Sequence, residues 1–468
     1  MKKSLTDKTE LFARVPIGKA LMTLAVPTVI SQLISLVYNM VDAFYIGRTG
    51  NSFMMAATTI TLPVLLLNIS FGNLFGIGGG SHVARLLGAG NTDEAKRVSA
   101  FSVYGAAAVG LLYSLFVGLL LDPLLRFLGA SENTLGYAHS YGMIVVVIGT
   151  LPLLLQMVLS HLLRNAGYSA QASMGLSGGG ILNMILDPVF MFVLLPKGME
   201  VTGAAIATTI SNTAGCIYLI TAYKKAAKTA PLSLAAGDAG TVGKEDIKAV
   251  FSVGIPSAIL TGLFDVANVC ANMIAAAHSD LVVAGMGIVM KIDRLPNAVN
   301  VGICQGMLPI VAFNYASGDH ERMKASIRTA RKAGLFVSFI CIAVFELFSG
   351  PLSRMFISTT AGDSATALAT VAYAAAFLRI RCLAAPVQFI NYNSSYCMQA
   401  LGDGKSTMLH AFVRELVFYI PLMFVLDRIF GELGLAAALP VGETIGALLA
   451  LFLLRRSVRS RSNPSSGR

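Results

Sequence analysis

Charge is scarce in this chain. Of 468 residues only 13% are Asp, Glu, Lys or Arg, 55% are hydrophobic, and the mean hydropathy is +0.71. A soluble domain carries roughly a quarter charged residues, so the composition excludes an ordinary soluble fold and indicates a polytopic membrane protein. Tryptophan is missing altogether. Cysteine is sparse: Cys216, Cys270, Cys304, Cys341, Cys382 and Cys397 lie in apolar stretches without CxxC or paired spacing. That removes a disulfide framework and a cysteine metal site, and buried free thiols are expected. Catalytic signatures are sparse too: there is no HExxH or Cys/His cluster. Gly402-Asp403-Gly404-Lys405-Ser406 imitates the end of a phosphate loop, but Gln399 stands where its first glycine belongs. Neither an ATP-driven pump nor a membrane enzyme is indicated, and no cofactor or structural metal is expected. The first twenty residues contain no apolar core, so no cleavable signal is expected and the first span is retained.

What the chain has is long apolar runs. Runs of about 20 or more residues fall at 20–46, 53–80, 98–121, 136–160, 169–195, 202–223, 249–277, 281–311, 333–352, 366–397, 406–427 and 434–454. The fold class read from them is an all-α membrane protein with twelve transmembrane helices. With the N-terminus inside, 25 of the 35 Lys and Arg fall in inside tails and loops, Arg164 among them, and five fall in outside loops. Five lie within spans: Lys291, Arg294, Arg379, Arg381 and Arg414. The asymmetry follows the positive-inside rule and places both termini in the cytoplasm and the chain in the cell inner (plasma) membrane. It also accounts for the net charge of +11, leaving little to support a nucleic-acid role.

The two halves resemble each other. The octet ending at Pro27 recurs in the octet ending at Pro256, residues 87–97 recur at 315–325, and 203–208 recur at 434–439. Six spans per copy keep both copies in one orientation, so the repeat is parallel, with an axis along the membrane normal. Transporters built this way hold substrate between two lobes. The expected parts are a tail 1–19, an N-lobe 20–223, a linker 224–248, a C-lobe 249–454 and a basic tail 455–468, the last read as a topology signal plus disorder. Gly72, Gly76 and Gly80 form two GxxxG steps, expected to seat a neighbouring helix closely.

Along nearly its full length the chain resembles the multidrug and toxic compound extrusion (MATE) transporters, in the branch of bacterial multidrug exporters. The resemblance rests on Pro27, Asn39-Met40-Val41-Asp42-Ala43-Phe44-Tyr45-Ile46-Gly47 and Arg85-Leu86-Leu87-Gly88-Ala89-Gly90. It continues through Arg164-Asn165-Ala166-Gly167, Asn183-Met184-Ile185-Leu186-Asp187-Pro188 and Gly203-Ala204-Ala205. In the second half it rests on Gln305-Gly306, Asn314-Tyr315 and Gln399-Ala400-Leu401-Gly402. It implies a secondary antiporter that exports organic cations in exchange for protons or sodium ions by alternating access of two lobes. It further implies that the acids at Asp42 and Asp187 act in coupling, and that Pro27 is a hinge rather than a static kink.

The residues themselves single out the same acids. Asp42 is the only charge between Lys19 and Arg48, and Asp187 the only one between Arg164 and Lys197. A carboxylate in hydrocarbon costs about 2.5–3.5 kcal/mol on insertion scales, so it persists for a function or with a partner. At about 1.5 Å per residue Asp42 lies roughly 9 Å and Asp187 roughly 15 Å from the outer end. Asn183 shares a helix face with Asp187, and Asn212 reaches a similar level. The repeat carries Asp42 onto Ala271 and Asp187 onto the stretch around Phe418 to Leu422. The acids are not duplicated, so coupling should belong to the N-lobe. Asp42 and Asp187 could hand over a proton, or Asp42, Asp187, Asn183 and Asn212 could equally ligate sodium through oxygen. The plainer alternatives are an Asp42–Arg48 pair and a helix break at Asp187-Pro188.

Tyr38, Tyr141, Asp265 and Glu443 are candidates to line a substrate cleft. For Asp265 and Glu443 the competing reading is ion pairing with Lys291 and Arg294 within the C-lobe. Arg379, Arg381, His410, Arg414 and Glu415 read as an inner pairing network or gate. Twenty Met residues suit either an adaptable cavity wall or ordinary core. Partners are the lipid bilayer and small organic cations, and the expected state is a monomer. The alternative function is a lipid-linked precursor flippase of the related fold, which would need a strongly cationic cavity.

Overall fold

The computed structural model describes residues 7–356 and 364–462, with side chains for 9–264, 266–356 and 365–460. The long helices are α1 Ile17–Arg48, α2 Ser52–Ala89, α3 Thr92–Phe127, and α4 in two pieces, Glu132–Ile148 and Thr150–Asn165. They continue as α5 Ser169–Leu194, α6 Glu200–Ala226, α7 Lys244–His278, α8 Asp280–Ala316 and α9 His320–Arg354. Last come α10 (Ser364–Cys382 with Ala385–Ala400), α11 Gly404–Phe430 and α12 Glu432–Ser462. Eleven are long and apolar enough to cross a membrane, and α4 makes twelve when its pieces, bent by 46°, count as one span. Among the described residues there is no strand. The outward faces are apolar: Leu119 is 74% exposed and Leu347 75%, as lipid-facing positions should be.

Local chemistry sets the helix ends. Asn51 Oδ1 accepts the Phe53 N–H at 2.9 Å to open α2, and Asp319 Oδ1 accepts the Arg322 N–H at 2.9 Å to open α9. Gly90 and Gly318 end α2 and α8 with φ of +80° and +82°, a conformation that glycine adopts without strain. The parallel repeat is visible in the backbone as well. Helix α3 kinks at Leu120 (φ −117°, ψ 18°) ahead of Pro123, and α9 kinks at Phe348 (φ −116°, ψ 18°) ahead of Pro351. In each case the ring cannot donate the N–H the helix needs.

Several expectations need correction. The span expected over 136–160 is broken, because a π-helical stretch Met143–Ile148 precedes Gly149 and the chain bends there. The tail 455–468 is helical as far as Ser462, since α12 runs past its apolar part; residues 463–468 lie outside the described residues. The segment before α1 is held down: Asp7–Ala13 is a helix, and Phe12 is fully buried against Phe313 with ring centroids 5.5 Å apart. Arg322 Nε donates to the Phe12 carbonyl at 2.7 Å.

The first six helices pack on one another, as do the last six, and the lobes meet along α1–α8 and α2–α7. Hydrogen bonds between the lobes gather toward the end that carries both termini. They include His82–Asp246 at 2.8 Å, Arg85 Nη1 to the Gln399 and Ala400 carbonyls at 3.1 and 3.2 Å, and Asn73–Thr261 at 3.2 Å. There α8 presses on α1 so closely that a Cβ at Gly306 would lie 2.6 Å from Ala25 Cα. Within the N-lobe the GxxxG glycines seat α4. Cβ atoms at Gly72, Gly76 and Gly80 would lie 2.8, 2.7 and 2.6 Å from Met157, His161 and Asn165.

Candidate functional site

Between the lobes lies a cavity of about 470 Å³, lined from both sides. The N-lobe contributes Gln32, Ser35 and Tyr38 from α1, Asn73 from α2, His161 and Arg164 from α4, Asn183 from α5 and Asn212 from α6. The C-lobe contributes Thr261 and Phe264 from α7, Gln305 from α8, Tyr392, Tyr396 and Gln399 from α10, and Arg414 and Glu415 from α11.

Behind the N-lobe wall stand the two acids. Asp187 is fully buried and its Oδ1 accepts from Asn183 Nδ2 at 3.0 Å; the same amide lies 3.2 Å from Thr208 Oγ1. Asp42 is half-buried, one turn beyond Tyr38 on α1. Asp42, Asp187, Tyr38 and the buried Tyr141 all lie within electrostatic reach of one another. Neither acid lines the cavity; Tyr38, Asn183 and Thr208 stand between. Among the described residues Asp42 makes no ion pair, and Arg48, the partner offered by the plainer reading, lies over the Phe44 ring at 5.9 Å. Asp42 Oδ1, Asp187 Oδ2 and Asn183 Oδ1 are buried without a hydrogen-bond donor. Buried oxygens left this way are costly, and such acceptors suit a bound proton or a small hard cation. Among the described residues no group of three or more His, Cys, Asp or Glu could hold a metal ion.

The remaining candidates divide. Tyr38, Asn183 and Asn212 line the cavity. Tyr141 does not: it is packed among Met54, Val145, Val201 and Ala205. Glu443 does not either. Its Oε1 accepts from Arg414 Nη2 at 2.6 Å and its Oε2 from Asn391 Nδ2 at 2.6 Å, so it is consumed in the C-lobe. The Asp265 side chain lies outside the described residues. Pro27 sits within α1, which continues helical through it.

The pairing expected in the C-lobe is divided between separate groups. Arg414 bridges Glu443 and, at 3.4 Å, Glu415, while Asn391 links Glu443 to His410, whose Nδ1 lies 2.9 Å from Ser395 Oγ. Separately, Arg381 Nε pairs with Asp293 at 2.8 Å, and Arg379 stands 3.9 Å from Glu346. Lys291 and Arg294 are exposed and make no ion pair among the described residues, which do not include the Asp265 side chain.

Arg164 is what the sequence reading missed. Counted there as a loop charge, it is a buried residue of α4 facing the cavity. The helix runs on to Asn165 and is closed by Gly167 at φ +93°, which leaves Arg164 in the last turn, turned inward to Thr28. Gly167 was the available signal, because a glycine three residues on marks a helix end rather than a loop start. The correction also changes the charge pattern, since buried cations are not confined to the second half.

Comparison with known proteins agrees with this architecture. The MatE family model matches residues 27–189 and again 256–425, so its two copies begin at Pro27 and Pro256. The multidrug export protein MepA of Staphylococcus haemolyticus is 29% identical over 450 residues, covering 96% of each chain. MepA of Staphylococcus saprophyticus is 28% identical over 443 residues, covering 95% of this chain and 94% of the relative. Among solved structures, a MATE in complex with MaL6 superposes with a TM-score of 0.90 at 21% identity, over 98% of this chain and 99% of that one. An outward-facing multidrug resistance MATE transporter of the MOP superfamily gives 0.89 at 21%, over 98% and 100%. At that identity the structures show the shared fold.

Proposed function

This chain belongs to the MatE family, the multidrug and toxic compound extrusion transporters, and from that membership we propose that it is a secondary antiporter exporting drug-like organic compounds. Export is driven by inward movement of protons or sodium ions. The observation that carries the coupling role is the trio of donorless buried oxygens on Asp42, Asp187 and Asn183, set directly behind the Tyr38–Asn183 wall of the inter-lobe cavity. A cation taken up there changes the charge behind that wall. Asn183 is bonded to Asp187 and lines the cavity, so ion and substrate compete through it.

The charge count supports a cytoplasmic position for both termini. On that orientation the lobes are joined on the cytoplasmic side and the cavity belongs to an outward-facing state. Alternating access then requires Gly306 and Ala25 to part and the His82–Asp246 and Arg85–Gln399 links to break. Pro27 is suited to be the hinge. It lacks the N–H that would stiffen α1, and the next residue, Thr28, ties α1 to Ser169 at 3.0 Å and to Arg164 at 3.2 Å. The names of the relatives, multidrug export proteins, support the substrate class.

Ethidium movement in proteoliposomes under an imposed proton or sodium gradient tests the reading and distinguishes the two ions. Export under one gradient and not the other is expected, and ethidium flux indifferent to both would contradict it.

A further inference from the structure

The two lobes differ at one corner of the end that carries the termini. By the repeat, Gly167 and Gly402 stand at matching positions, with φ of +93° and +77°, and are followed by Tyr168 and Asp403. The offset that carries 203–208 onto 434–439 also carries Ala226 onto Ser457. In the C-lobe Asp403 closes the corner. Its Oδ2 accepts from Ser406 Oγ at 2.8 Å and from Ser457 Oγ, which ties the start of α11 to α12. In the N-lobe the matching positions hold Tyr168 and Ala226, so the acid and one of its donors are both missing. A groove of about 320 Å³ is left between the start of α5 and the end of α6.

Tyr168 and Gln171 line this groove on the α5 side, and Tyr218, Thr221 and Lys225 on the α6 side. Its lining holds a cation and no acid. Neither the Lys225 ammonium nor the Gln171 amide has a hydrogen-bond or ion-pair partner among the described residues. Lys224 and Lys228 are exposed beside Lys225 and add to the positive potential. Toward the membrane the groove runs on into lipid-facing surface. The Tyr218 hydroxyl donates to Met174 Sδ at 3.6 Å, and Met174 and Ile217 are 62% and 58% exposed. Ile181 and Ile210, seven residues deeper on each helix, are exposed as well and continue the apolar track. Tyrosines at such a boundary lie at the headgroup level of a bilayer.

We propose that this groove holds the headgroup of an anionic phospholipid from the leaflet on the side of the termini. Lys225 meets the phosphate, and the Gln171 amide donates a second hydrogen bond to it. The acyl chains lie along the exposed faces of Met174, Ile181, Ile210 and Ile217. A free phosphate carries the same charge but has nothing to lay on that apolar track. Basic pockets between transmembrane helices take anionic headgroups in this way. The site asks nothing of the inter-lobe cavity or of the coupling ion.

The test uses the full-length protein, delipidated in detergent, with dioleoylphosphatidylglycerol and dioleoylphosphatidylcholine competing for it in native mass spectrometry. The wild type should retain phosphatidylglycerol in preference to phosphatidylcholine. Lys225→Gln should lower that preference by about five-fold, the worth of one lysine near an anionic surface. Lys224→Gln, one residue away and outside the groove lining, should lower it much less. An unchanged preference in Lys225→Gln overturns the proposal. Equal losses in the two variants mean diffuse attraction to a basic end and overturn it too. A second measurement uses only the wild type: phosphatidylglycerol should protect Lys225 more than Lys224 from acetylation by an N-hydroxysuccinimide ester, mapped by mass spectrometry. Equal protection of the two lysines overturns the proposal, and so does equal protection of Lys225 by phosphatidylcholine. Inorganic phosphate at the same concentration should leave Lys225 unprotected. If it protects Lys225 as well as the lipid does, the groove serves a free anion and the lipid assignment falls.

Discussion

Asn183 and Asp187 are joined one helical turn apart on α5, the amide Nδ2 of the first 3.0 Å from Oδ1 of the second. Asn183 also faces the cavity, whereas Asp187 does not. The pair thus connects a buried carboxylate to the wall of the inter-lobe cavity.

Removing that connection should separate coupling from folding. Asn183→Ala takes the donor from Asp187 Oδ1 and from Thr208 Oγ1. Gradient-driven ethidium export is expected to fall by about ten-fold, the worth of one hydrogen bond to a charged group, while the unfolding midpoint in detergent stays near that of the wild type. A variant that exports normally would show that Asn183 is ordinary packing.

The C-lobe network should behave as structure. Arg414→Gln leaves Glu443 and Glu415, both nearly inaccessible, without their cation. Breaking a buried pair by removing one partner typically costs about 3–5 kcal/mol. Thermal unfolding of the purified protein should therefore show a large drop for Arg414→Gln, and a smaller one when Glu443→Gln is added to it. An unchanged midpoint in the single variant would contradict this reading.

The joined end of the lobes offers a steric test. Gly306→Leu places a side chain where even a Cβ would lie 2.6 Å from Ala25 Cα. The lobes should part at that end. Spin labels at Lys96→Cys and Arg328→Cys, exposed sites near the starts of α3 and α9, should move apart in the Gly306→Leu background. An unchanged distance distribution would mean that the contact is not what holds this end closed.

Much of this was legible in the sequence because hydrophobic runs in a bilayer have a fixed length requirement. The twelve spans, the repeat and the two isolated acids follow from where apolar runs and charges fall. Side-chain direction was not legible. Arg164 read as a loop charge because its helix ends only one residue after it, and one turn of helix decides between solvent and cavity. Glu443 read as a cleft residue because depth alone cannot distinguish a face turned to the cavity from one turned to Arg414. The bend at Gly149 was hidden for a similar reason: a π-helical stretch preserves hydrophobicity while shifting the helix register.

The acid pair is the centre of the account, and one measurement addresses it directly. Asp42→Asn and Asp187→Asn each keep the volume and remove the switchable charge. Ethidium export into an imposed proton or sodium gradient should be abolished in both variants, while equilibrium ethidium binding and the unfolding midpoint remain close to wild type. Normal gradient-driven export by both would contradict the account.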